Sequence, residues 1–386
     1  MRKSVHSLPC FLFTRAFCVA FLCAALAGAC SNPAGPSPTS PSKSTYLYLT
    51  DNGSSTGTNG LSAYSIGSGG ALTAITSGSF TTGAIPYGIA ISPNGNYLYV
   101  ANNNTTGASG LSAFSIGSGG ALTPIGTFTT GKNPYGIVIS PNGNYLYVTN
   151  SSSTGTNGLS AFSIGSGGAL TAITSGTFAT GAAPYGLAIS PSGNYLYVTN
   201  NGSTDGTNGL SAYSIGSDGA LTAITSGSFT TGANPYDIVM SPSGNYLYVT
   251  NSGSTGTSGL FAYSIGSGGA LTAIGTFTTG AFPYDVAISP DGSCLYVANM
   301  GDNTVSAYSI GSNGALTSIN TYGTSNMPEG IAISPDGSYF FVTDTDSTGA
   351  DGLSDFSIGS GGALTAITSG TFATGNNPWG IAIVTR

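Results

Sequence analysis

Residues 88–125 read GIAISPNGNYLYVANNNTTGASGLSAFSIGSGGALTPI. Gly88 to Ser92 turns through Pro93-Asn94-Gly95 into Asn96 to Asn102. A polar loop leads on to Leu111 to Ile116, and Gly117 to Gly120 turns into Ala121 to Ile125. Short runs rich in Ile, Val, Tyr and Thr, bounded by Gly, Asn and Pro, predict four strands joined as antiparallel sheet. No window carries a helical period long enough to matter.

The unit recurs along the chain. Ser-Ile-Gly begins at Ser65, Ser115, Ser163, Ser214, Ser264, Ser309 and Ser357. Tyr-Leu-Tyr-Val and its variants begin at Tyr46, Tyr97, Tyr145, Tyr195, Tyr246, Cys294 and Tyr339. A period of roughly 50 residues calls for a propeller or a solenoid. Seven such copies of a four-strand unit predict an all-β, seven-bladed β-propeller of four-stranded antiparallel blades. Tyr46 to Leu49 is a second strand with no first strand before it, and Gly380 to Ile383 is a first strand with no second after it. Pairing that C-terminal strand with the three N-terminal ones closes the ring and leaves no open end, so a monomer is expected.

Tyr147-Val148-Thr149-Asn150, Tyr197 to Asn200 and Tyr248 to Asn251 spell YVTN, and Ile288 to Gly292 and Ile333 to Gly337 spell ISPDG. In these motifs the chain resembles the YVTN-repeat, lactonase-type seven-bladed propellers, over residues 46–386. The resemblance implies the fold. For activity it implies a choice among 6-phosphogluconolactonase-like hydrolases, extracellular binding proteins and surface-layer proteins. The related lactonases begin the first strand with a Pro-Arg-His-like sequence, and here those places hold Tyr and Gly.

Residues 1–29 read as an export signal: Arg2, Lys3 and Arg15, then an uncharged apolar run from Ala16 to Ala29. Leu26-Ala27-Gly28-Ala29-Cys30 resembles a bacterial lipobox, with Ala27 where that family carries Leu. It implies a lipidated Cys30 and, with Ser31 following, an outer-membrane lipoprotein of the cell envelope. Ala27-Gly28-Ala29 also reads as the cleavage site of an ordinary secreted protein. Residues 30–45, rich in Pro and Ser, predict an extended tether ahead of the propeller at 46–386.

Only 5% of the residues are charged. Beyond the leader the basic side chains are Lys43, Lys132 and Arg386, against thirteen acidic ones. No positive surface is available for a phosphate backbone, which excludes nucleic acid as a partner. The one histidine, His6, lies in the leader, so Ser-His and Cys-His nucleophiles and imidazole zinc sites are excluded as well. Cys30 and Cys294 alone outlast cleavage, and no disulfide is expected between a tether and a strand.

Candidate functional residues gather at one end of the blades, in the loops before the first strand and between the second and third. Tyr87, Tyr135, Tyr185, Tyr236, Tyr284, Glu329 and Trp379 occupy the same repeat position. If they reach the channel mouth they form an aromatic ring that can stack on a sugar or hold an apolar ligand; packing between blades is the simpler account. Asp237 and Asp285 replace glycine at the next position in adjacent blades. With Glu329 they put three neighbouring carboxylates beside the mouth, able to hold a cation or sugar hydroxyls, and their mutual repulsion raises their pKa values. Asp344, Asp346, Thr348, Asp351 and Asp355 match the oxygen spacing of a calcium loop, with solvated loop acids as the alternative. Asp355 stands where the other six repeats have Ala.

Lacking imidazole and nearly lacking arginine, the propeller is expected to be a surface-anchored, non-catalytic binding or scaffold protein for a glycan, peptide or extracellular protein, with calcium as its one candidate cofactor. The alternative is a lactonase-like hydrolase of a sugar lactone using Glu329, Asp237 and Asp285. A third reading is a structural envelope protein.

Overall fold

The computed structural model describes residues 43–386, apart from the stretches 54–59, 77–79, 104–109, 152–157, 176–177, 203–208, 226–228, 254–257, 346–351, 368–371 and 373. The leader, Cys30 and most of the tether lie outside the described residues. Seven four-stranded antiparallel sheets make the predicted propeller. Blades 1 to 6 open with the inner strands Pro86–Ile91, Pro134–Ile139, Pro184–Ile189, Pro235–Met240, Pro283–Ile288 and Pro328–Ile333. Blade 7 joins both ends of the chain. Its inner strand, Pro378–Thr385, pairs with Thr45–Asp51, which is followed by Gly60–Ile66 and Leu72–Ala74. This is the closure expected from the orphan strands.

The core lies between blades, because successive residues of a strand face opposite sides of its sheet. In blade 1, Leu98 and Val100 face Tyr46 and Tyr48 of blade 7. Their neighbour Tyr99 faces Leu146 and Val148 of blade 2. Leu98, Tyr99 and Val100 are wholly buried. At about 1.5–3 kcal/mol for each large side chain, this burial makes the second strand the main source of stability in a blade. The buried tyrosine then reaches across to the next blade. The hydroxyls of Tyr48, Tyr99, Tyr147, Tyr197, Tyr248 and Tyr296 donate to the carbonyls of Gly120, Gly168, Gly219, Gly269, Gly314 and Gly362, at 2.7–3.0 Å. A polar group that costs free energy when buried alone is thereby satisfied and sets the angle between blades.

Around the axis the inner strands approach too closely for most side chains. A Cβ on Gly88 would lie 2.3 Å from the carbonyl oxygen of Tyr135, and one on Gly330 would lie 2.1 Å from that of Trp379. Glycine at this repeat position is therefore a condition of ring closure, and the blades that lack it are exceptional.

Candidate functional site in the axial channel

The start of each inner strand is held by a repeated backbone device. Ile85, Asn133, Ala183, Asn234, Phe282, Met327 and Asn377, each preceding the strand's proline, adopt positive φ. Their carbonyls accept N–H groups just past the end of the second strand, such as Asn103 to Ile85 at 2.9 Å and Ser252 to Asn234 at 3.0 Å. Threonine supplies a second clasp. Thr250 Oγ1 accepts from the Asp237 N–H at 2.9 Å and donates to the Tyr284 carbonyl of the next blade at 3.0 Å. Thr50, Thr149, Thr199 and Thr343 do the same for their own blades. Of these, Thr149, Thr199 and Thr250 belong to the YVTN motif, which the sequence alone presents as a mark of the fold. Their recurrence at the strand end nearest the axis was the signal that could have revealed a positioning role.

Held this way, the aromatic side chains converge on the axis. Tyr87 meets Tyr135 at 4.8 Å between ring centroids, Tyr135 meets Tyr185 at 4.6 Å, Tyr185 meets Tyr236 at 5.4 Å, and Tyr236 meets Tyr284 at 4.9 Å. Trp379 closes the circle, touching Tyr284 edge-on at 5.3 Å and Tyr87 at 4.5 Å. Blade 6 offers Glu329 in place of a ring, and the larger indole spans the gap. The six rings pack on one another from blade to blade, and with the layer beneath them they line a cavity of about 160 Å³.

Glu329, Asp237 and Asp285 share that cavity wall, so the structure brings together all nine residues proposed for the mouth. Asp285 Oδ1 accepts from the Val286 N–H at 2.8 Å, and Oδ2 accepts from the Ile331 N–H of blade 6, also at 2.8 Å. Asp237 Oδ2 reaches the same Val286 N–H at 3.4 Å. The two carboxyls thus bridge the gaps between blades that glycine closes elsewhere. Burial, then the charge of Asp285 and a hydrogen bond to it, push Asp237 well above the usual carboxylate range. Burial raises Asp285 as well, opposed by the hydrogen bond from Asp237 and by the two backbone donors. Burial thus makes both carboxyls hold their protons more tightly than a solvated aspartate does. Glu329 is buried, with 7% of its surface exposed. Burial raises the Tyr284 phenol, and the Glu329 charge raises it further.

The calcium-loop residues do not all come together. Asp346, Thr348 and Asp351 lie outside the described residues. Asp344 pairs with Gly352 across the second and third strands of blade 6, and Asp355 pairs with Phe341. By strand alternation, residues 341 and 344 point to opposite faces of the sheet, so these two carboxyls diverge. Asp344 sits where blades 1 to 5 place Asn and blade 7 places Asp51, and it accepts a hydrogen bond from Ser354. Burial lifts it to about 7.

The sequence model of the family described as lactonase, seven-bladed β-propeller matches overlapping segments at residues 105–222, 174–258, 221–325 and 262–354. A model of the LVIVD repeat matches residues 88–105. No curated protein sequence matches. Among solved structures, a 6-phosphogluconolactonase-like protein of Bacteroides fragilis is 22% identical with a TM-score of 0.75, covering 90% of this chain and 100% of its own. One from Bacteroides uniformis is 20% identical with a TM-score of 0.76, covering 89% and 99%. The periplasmic gluconolactonase of Pseudomonas aeruginosa is 18% identical with a TM-score of 0.73, covering 88% and 99%. At these identities the structures speak to the fold, and the family match carries the functional weight. It overturns the expectation of a non-catalytic binding or scaffold propeller and favours the hydrolase alternative. The absence of histidine does not exclude hydrolysis, because two neighbouring carboxyls can supply an acid and a base.

Proposed function

The chain belongs to the lactonase family of seven-bladed β-propellers, and from that membership we propose that it hydrolyses an unphosphorylated sugar lactone in the axial cavity, with Asp237 and Asp285 as the acid–base pair. The observation that carries this reading is the pair of buried carboxyls, Asp237 and Asp285, that meet at the Val286 N–H on the cavity wall. Asp285, held by two backbone N–H groups, takes a proton from water as its oxygen attacks the lactone carbonyl carbon. As the ring C–O bond of the tetrahedral intermediate breaks, Asp237 gives its proton to the departing oxygen. The product is the open hydroxy acid. The aromatic rings support the apolar face of the sugar.

None of the described residues lining the cavity is Lys, Arg or His, so a phosphate would enter beside carboxyls with no countercharge. This favours gluconolactone over its 6-phosphate. The test is hydrolysis of both lactones followed by pH-stat above the spontaneous rate. Asp237→Asn and Asp285→Asn should each lower kcat/KM by roughly 10²–10⁴ with the melting temperature retained. Turnover of neither lactone by the intact chain would reject the proposal.

A further inference from the structure

The cavity combines three features that select for charge. Its wall is almost wholly carbon, made by the rings of Tyr87, Tyr135, Tyr185, Tyr236, Tyr284 and Trp379. Two phenols are engaged by residues beyond the ring, Tyr87 by Asn52 and Tyr236 by Asn201, while Tyr135 and Tyr185 bond each other. Apart from the phenols, the polar side chains of the wall are acidic, and no cationic side chain among the described lining residues offsets them. Asp237, Asp285 and Glu329 thus set three carboxyls into one wall of an aromatic ring.

A metal ion is a poor match, since calcium takes six to eight oxygens and both Asp285 oxygens and Asp237 Oδ2 already accept backbone N–H groups. A neutral polyol finds hydrogen-bond partners only on the side of the wall that holds the carboxyls. An organic ammonium fits both parts. Its methylene or methyl groups lie against the rings, and its charge is attracted by their π electrons and by the carboxylates. We infer that the axial cavity selects ligands bearing an ammonium group, which makes the substrate of the proposed hydrolase an aminosugar lactone. The second half of this statement rests on the lactonase reading, and the first half does not.

The single tryptophan of the chain, Trp379, stands in the cavity wall, so its fluorescence reports occupancy directly. Full-length protein is titrated with choline and with 3,3-dimethylbutan-1-ol, its uncharged carbon counterpart. Choline should change the Trp379 emission saturably and bind at least about ten-fold more tightly than the alcohol. Glu329→Gln should weaken choline by about ten-fold while leaving the alcohol unaffected; its melting curve shows whether the ring stays folded. Asp285→Asn gives a second charge deletion should Glu329→Gln fail to fold. Equal affinities, or no response to either compound, would overturn the inference. In a parallel assay, 2-amino-2-deoxygluconolactone should exceed gluconolactone in kcat/KM by about ten-fold. Gluconolactone turnover without choline binding defeats the ammonium site alone, whereas choline binding with no lactone turned over defeats the hydrolase reading alone.

Discussion

Asp355 lies directly opposite Phe341 in blade 6, where every other blade pairs alanine with tyrosine. The six tyrosines donate to a glycine carbonyl of the following blade, whereas Phe341 has no hydroxyl to give Gly70 of blade 7. Asp355 is 6% exposed, and its Oδ2 has no hydrogen-bond partner among the described residues. Two departures from the repeat thus meet at one point: a donor is missing and a carboxyl is buried.

Restoring the repeat should therefore stabilise the ring. Asp355→Ala removes an incompletely satisfied buried carboxyl and should add about 1–3 kcal/mol. Adding Phe341→Tyr to that variant regains the bond to the next blade, worth about 1 kcal/mol more. Urea unfolding of the three proteins measures both steps. Loss of stability in Asp355→Ala would mean that the carboxyl holds a partner that compensates its burial.

Stability should fall as pH rises from 5 to 8. Burial raises Asp355 to about 6 and Asp344 to about 7, and holds Asp237 well above the usual range. An unfolded Asp titrates near ~4. Between that value and the folded ones the native state binds more protons than the unfolded state, so protonation favours folding and the benefit is lost as pH climbs through the folded values. Asp291 and Asp336 are lowered by hydrogen bonds from Ser289 and Ser334 and act in the opposite sense, at lower pH. Melting temperatures across this window give the sign. A flat profile in Asp344→Asn/Asp355→Ala would assign most of the slope to blade 6.

Ile85 has φ 54°, a left-handed conformation that a β-branched residue adopts only under strain. Asn already occupies the same position in blades 2, 4 and 7. Ile85→Asn should raise stability by about 1 kcal/mol, since asparagine tolerates this region. Thermal unfolding checks it, and an unchanged or lower midpoint would show that Ile85 returns the strain as packing at the rim.

Thr250 links the Asp237 N–H to the Tyr284 carbonyl, joining the acid–base pair to the aromatic ring. Thr250→Val keeps the shape and removes both bonds, at a loss of about 1–2 kcal/mol. As a positioning residue it should lower kcat more than it raises KM, and Thr250→Ser should restore most of the rate. Equal effects from valine and serine would limit Thr250 to packing.

The sequence by itself determined the propeller, its count of blades and the pairing of its ends, because those follow from local periodicity written seven times over. It also pointed to Asp237, Asp285 and Glu329, which are visible as breaks in that repetition. The tertiary structure alone decided what those breaks do. Tyr284 and Trp379 touch across the blade that lacks an aromatic, and Asp237 and Asp285 meet at one backbone N–H, although 47 residues intervene between them. Such relations depend on distances around the axis that no repeat period encodes. Asp344 and Asp355 show the converse. Their spacing along the chain matched an ion-binding loop, yet strand alternation turns them to opposite faces of the sheet. A linear pattern gives the order of ligands; only the folded backbone gives their directions.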